Sequence, residues 1–150
     1  MKQTKKYNSG VFALIYLLNL RGYDNIDPEQ LEIELGTTEE YGTSHNEIIY
    51  WLDKHDIEYE IDNYLTKFPL LVNYKYNGVE HYSVIEYYYE NMLWIYNVAT
   101  GDYDKISYFD FDDVWYAFDW DSEKYSPKWG LYIKRKEVEA PPVEFDNTTY

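Results

Sequence analysis

Apolar positions near the start of the chain recur at near-helical spacing. Val11, Leu14, Ile15, Leu18 and Leu20 are followed by Gly22, which predicts a mostly buried helix over residues 11–20 with a glycine stop. Asp27-Pro28 marks a second start, since Asp caps and Pro suits the first helical position, and Leu31, Leu35 and Gly36 carry that helix to its end. A third begins near Thr43 or Ser44, where Ser44 and Glu47 have capping-box spacing, and Ile48, Ile49, Trp51 and Leu52 form its apolar face up to His55 or Asp56. The period then changes. Tyr59 and Ile61 alternate with acids, and residues 70–74, 81–88 and 92–96 read as strands, with the turn signal Asn77-Gly78 between two of them. Residues 105–107 predict a weaker strand, 109–120 a short acidic and aromatic helix, and 129–134 a last strand. Helices first and antiparallel strands afterwards predict an α+β fold, with N-terminal helices packed against an antiparallel β-sheet. Residues 1–136 are expected to form one domain, and 137–150, with Pro141-Pro142, a loosely ordered tail.

Composition narrows the function. With 150 residues there is room for one domain with a real core, and 20 Tyr, 6 Phe and 5 Trp are too many aromatics for a disordered chain. The absence of cysteine excludes disulfides, Cys-type zinc sites and redox motifs. A net charge of −15 argues against nucleic-acid and anionic-membrane partners, because like charges repel. It is read first as solubility, with two functional alternatives: attraction of basic peptides, or imitation of DNA by a non-catalytic binding protein or inhibitor. The apolar run 11–20 is too short for a membrane span, which needs about 20 residues, and has no cleavage signal, so a cytoplasmic location is expected. Acids such as Asp110, Asp112, Asp113, Asp119 and Asp121 read as a solvated face; their spacing is not that of a calcium loop, and no metal or cofactor is expected.

Among the 3 histidines, His45 and His55 lie at the ends of a predicted helix and read as solvated surface residues. His81 opens an apolar strand after an exposed loop, at a sheet margin that a cleft can reach. A hairpin turning near residues 89–91 brings Asn97 to the same face as a near-opposite or diagonal partner. An amide oxygen there would fix the imidazole tautomer, the orienting role of nucleophile, base and orienter arrangements. A histidine satisfied by a backbone carbonyl is the structural alternative.

Gln3, the run Asn8-Ser9-Gly10-Val11-Phe12-Ala13-Leu14, Tyr41-Gly42-Thr43-Ser44, His81-Tyr82-Ser83-Val84-Ile85 and Ile95-Tyr96-Asn97-Val98-Ala99-Thr100-Gly101 together resemble the double-glycine peptidases. These are papain-like domains that remove leader peptides from bacteriocin precursors, and the similarity runs in order over residues 3–121. It implies Ser9 at the nucleophile position, His81 as base, Asn97 as orienter and Gln3 in the oxyanion hole. It also implies an extended peptide or protein substrate with small residues beside the scissile bond; the acidic surface would favour basic flanks. The departures are Ser9 in place of cysteine, Asn97 where Asp is commoner, and Val98 in place of a frequent proline. A serine hydroxyl is far harder to activate than a thiol. Three origins fit it: an inactivating substitution, a natural pseudopeptidase that binds without cleaving, or a working serine variant. The peptidase reading requires Gln3, Ser9, His81 and Asn97 to converge; the mimic requires only carboxylates along one face.

Overall fold

A computed structural model describes residues 1–119 and 124–137, with side chains for 1–116 and 128–137. Most of the expected tail (138–150), together with Trp120 and Asp121, lies outside the described residues.

Helix α1 (Ser9–Leu20) is buried on nearly every side, with Val11, Leu14, Leu17 and Leu18 fully inaccessible. Each such side chain contributes about 1.5–3 kcal/mol relative to exposure. Helices α2 (Pro28–Glu34) and α3 (His45–Lys54) start at the caps read from sequence: Asp27 accepts from the Gln30 amide at 3.3 Å and Ser44 from the Glu47 amide at 3.1 Å.

Strands β1 (Tyr59–Ile61), β2 (Leu70–Tyr76), β3 (Val79–Tyr89), β4 (Met92–Asn97), β5 (Asp102–Ser107) and β8 (Gly130–Ile133) form one antiparallel sheet in the order β1-β8-β2-β3-β4-β5. Asn77 and Gly78 both take positive φ, as a type I′ hairpin turn demands. One face of the sheet, carrying Leu71, Tyr82, Val84 and Tyr96, packs on α1, α2 and α3. The opposite face, carrying Tyr74, Ile85, Leu93 and Ile95, packs on Phe111 and Trp115 from the far segment.

That far segment corrects the expectation of one helix over 109–120. Helix α4 (Tyr108–Val114), capped by Ser107, stops at Trp115, and strand β6 (Tyr116–Asp119) follows, paired with β7 (Lys124–Pro127). Trp115 is buried and donates its indole N–H to the Trp129 carbonyl at 3.0 Å, which ends the helix by tertiary anchoring. The side-chain pattern of the segment does not encode that partner.

Candidate active site

The site forms where β3 runs past the end of its pairing with β4. Pairing between the two strands reaches only to Val84 opposite Tyr96. The Tyr82 amide, beyond it, donates instead to Ser9 Oγ at 3.1 Å. Ser9 reaches this edge because Gly10 allows close approach: a Cβ on Gly10 would meet Thr43 Cβ at 2.8 Å and a Tyr82 ring carbon at 3.0 Å. Gly10→Ala is therefore expected to cost about 1–3 kcal/mol through overpacking, read as a fall of several degrees in the melting midpoint.

A bulge places Asn97. The register shifts between Ile85 and Tyr87. Continued straight from the turn at 90–91, the pairing would set Asn97 across from Val84, on the wrong face for His81; the extra residue at Glu86 sets it across from Ser83 instead. His81 Nε2 lies 2.9 Å from Asn97 Oδ1 and 3.1 Å from Ser83 Oγ. The diagonal pair read from sequence is formed, but by a bulge that the alternation does not reveal.

The Asn97 amide is fixed from both ends. Its Nδ2 donates to Asp104 Oδ2 at 2.8 Å, and its Oδ1 accepts from the Ala99 amide at 2.9 Å. With Oδ1 thus facing the ring, Nε2 carries the proton, and the neutral imidazole bears its lone pair on Nδ1. Among the described residues Nδ1 makes no hydrogen bond. Burial lowers the His81 pKa below its ordinary 6.5, against opposing contributions from the Asn97 hydrogen bond and the Asp104 charge. His81 is therefore neutral at pH 7.

A stability consequence follows. Because the folded-state pKa lies below the unfolded one, the unfolded chain binds the extra proton between them, and the His81 contribution to stability falls as pH drops through that window. Melting at about pH 7.5 and about pH 5 is expected to show a smaller acid loss for His81→Gln than for the parent chain.

Gln3 is held beside this turn by its amide, which donates to the Val98 carbonyl at 2.7 Å. Its side chain does not point at Ser9's partners: Nε2 donates to the Lys5 carbonyl at 2.8 Å, while Oε1 is buried without a partner. The structure thus pairs His81 with Asn97 and sets Ser9 Oγ on the backbone amide of the next residue, Tyr82, rather than on the imidazole. Asn8 uses its side chain on Lys5, Thr4 and Glu32 rather than as a cap, and α1 has no acid in its first turn, so the helix N-terminus keeps its positive character at Ser9.

A cleft of about 850 Å³ opens from Ser9 along Thr43, His45, Asn73 and Tyr82 toward the β2–β3 hairpin. His45 corrects the expectation of a solvated residue: it is buried, stacked on Trp129 at 4.0 Å and bonded through Nε2 to Asn73 Nδ2 at 3.1 Å. Its cover comes from the residue just before β8, far along the chain. His55 is exposed, as expected. Sequence reasoning also missed Asp104, whose place diagonal to Asn97 follows from the turn at Gly101. Among the described residues no group of three or more metal-ligating side chains gathers, and no helix is long and apolar enough to cross a membrane.

No protein-family model and no curated protein matches the sequence. Solved structures do. A double-glycine-motif protease from an AMS/PCAT transporter, solved in complex with the leader peptide, superposes with a TM-score of 0.71 at 17% identity, covering 91% of this chain and 90% of that one. The peptidase domain of Streptococcus ComA, a bifunctional ABC transporter of a quorum-sensing pathway, gives 0.72 at 17% identity over 91% of this chain and 97% of its own. The Streptococcus mutans ComA peptidase domain in complex with a small-molecule inhibitor gives 0.57 at 14%, over 89% and 96%. The chain has the papain-like α+β fold of the double-glycine peptidase domains.

Proposed function

We propose that this chain binds an extended peptide in the cleft beside Ser9, and that Ser9, His81 and Asn97 form a papain-type reaction centre in which serine occupies the nucleophile position. The observation that carries this reading is the placement of Ser9 Oγ on the amide of Tyr82, 3.1 Å away, immediately after the 2.9 Å His81–Asn97 pair. The fold neighbour solved with a leader peptide supports a peptide as the ligand class.

With a nucleophile at position 9, the reaction runs as acyl transfer. The position-9 heteroatom attacks the scissile carbonyl, its proton passes to His81 Nδ1, and the imidazolium returns that proton to the departing amine. Asn97 holds the ring, and Asp104 holds Asn97. The uncapped amide of Ser9 at the start of α1 would donate to the oxyanion, and Gln3 would join it by turning Nε2 away from the Lys5 carbonyl. Water then attacks the acyl group, with His81 again taking the proton.

A hydroxyl requires far more activation than a thiol, and a neutral imidazole of lowered basicity supplies less of it. As it stands, the chain holds peptide and cleaves it poorly. The test is incubation of the parent chain and Ser9→Cys with a library of extended peptides, followed by mass spectrometry. The expected result is cleavage by Ser9→Cys alone, with shared peptide binding by both; absence of binding and cleavage in both would overturn the reading.

A further inference from the structure

The lining of the same cleft includes a polar group that the proposed reaction centre does not use. Asn73 sits mid-strand in β2, directly across from Tyr82, and is only 5% exposed. Its Nδ2 donates to His45 Nε2 at 3.1 Å, yet its Oδ1 is buried with no hydrogen-bond partner, and Asn73 lines the cleft that contains Ser9. A buried carbonyl oxygen left unpaired costs free energy that an apolar residue among Leu71 and Val72 would avoid. That oxygen is closed to solvent, so a donor that satisfies it has to come with a group that moves the neighbouring side chains aside.

The surroundings restrict what that donor is. His45 is stacked flat on Trp129, with ring planes 7° apart, and meets Tyr82 edge-on. Of the charged side chains that line the cleft, Lys75 and Glu80 pair with each other at 3.7 Å, and Lys6, Glu39 and Glu40 are exposed. The buried lining around Asn73, formed by His45 and Tyr82, therefore presents polar atoms and flat aromatic surface. An ammonium or guanidinium placed there would lose hydration without a buried carboxylate in return, whereas a carboxamide offers an N–H to Asn73 Oδ1 and a planar body to the rings.

We propose that Asn73, braced by His45, forms a specificity subsite that receives a carboxamide side chain of the bound peptide. This rests on the peptide-binding reading above only in taking the ligand to be a peptide; it does not require cleavage.

The test uses the parent chain and two capped probes of equal size, N-acetyl-asparagine N-methylamide and N-acetyl-leucine N-methylamide, titrated while amide and side-chain resonances are followed by NMR. The expected result is binding of the asparagine probe at least about fivefold tighter, with shifts centred on the Asn73 side chain and the Tyr82 amide. Asn73→Leu is expected to erase the preference, and Asn73→Asp, which keeps an acceptor, to retain it. Equal affinities in the parent chain, no shift from either probe at its solubility limit, or a preference that survives Asn73→Leu would overturn the proposal. The parent-chain comparison decides even if a variant fails to fold. Carboxamide preference without cleavage by Ser9→Cys leaves the subsite standing and removes the reaction centre; cleavage with equal probe affinities does the reverse.

Discussion

In the Ser9→Cys chain, His81→Ala is expected to lower peptide cleavage by roughly 10²–10⁴-fold, the range for loss of a positioned general base. The loss should fall on kcat far more than on KM, because in the proposed reaction His81 acts on the proton in flight, and it does not line the cleft. Asn97→Ala in the same background should give a smaller loss of the same kind. Without Oδ1, the imidazole keeps Ser83 as a neighbour at 3.1 Å but has nothing to hold its tautomer, and Asp104 loses the amide it anchors. Initial rates across peptide concentrations separate the two parameters. A rise in KM with unchanged kcat for His81→Ala would mean that the residue shapes binding only.

The largest stability effect is expected at Asp62, well away from the chemistry. Asp62 is 5% exposed, and its carboxylate accepts the backbone amides of Tyr64 at 2.8 Å, Thr66 at 2.7 Å and Lys67 at 2.8 Å, with the Thr66 hydroxyl at 3.2 Å. One side chain thus satisfies the loop that leads into β2, the strand carrying Asn73. The same residue's carbonyl accepts from none of these but lies against Gly130, where a Cβ would come within 2.6 Å, so the loop is also packed tightly on β8. Asp62→Ala leaves three amides without their acceptor, at about 3–5 kcal/mol for breaking a buried charged network. For a domain of this size that corresponds to a fall of roughly 10–15 °C in the melting midpoint. Thermal unfolding followed by far-UV circular dichroism measures it; a fall of a degree or two would mean that water replaces the carboxylate freely.

Local signals in the sequence carried their own answers, and non-local ones did not. Asp27-Pro28, Ser44 and Asn77-Gly78 act on atoms within four residues, and the caps and turn form where those residues stand. The apolar run after Ser9 was legible because no amphipathic alternative competes with a helix buried on nearly every side. His45 was misread because its cover, Trp129, arrives from just before the last strand, and a helix N-terminus viewed alone looks solvated. The segment 109–120 was misread for the same reason: the Trp115–Trp129 contact that stops α4 is tertiary. At the site, the residue types and their order were legible, as was the likelihood of a His81–Asn97 diagonal. The bulge at Glu86 that realises it was not, since inserting one residue changes the face of Asn97 while leaving the alternation of the flanking strands intact. The outward turn of the Gln3 amide toward Lys5 has no sequence signal at all.

The measurement that bears most directly on the account is the rate of iodoacetamide alkylation as a function of pH in Ser9→Cys, with Ser9→Cys/His81→Ala alongside. A thiol at the start of α1, addressed by an imidazole held by Asn97, is predicted to label rapidly near neutrality, with an inflection well below the pH of about 8.5 at which a free thiol ionises, and to lose that advantage when His81 is removed. Superimposed profiles with an ordinary thiol inflection would contradict the account and leave a papain-like fold serving as an acidic binding protein.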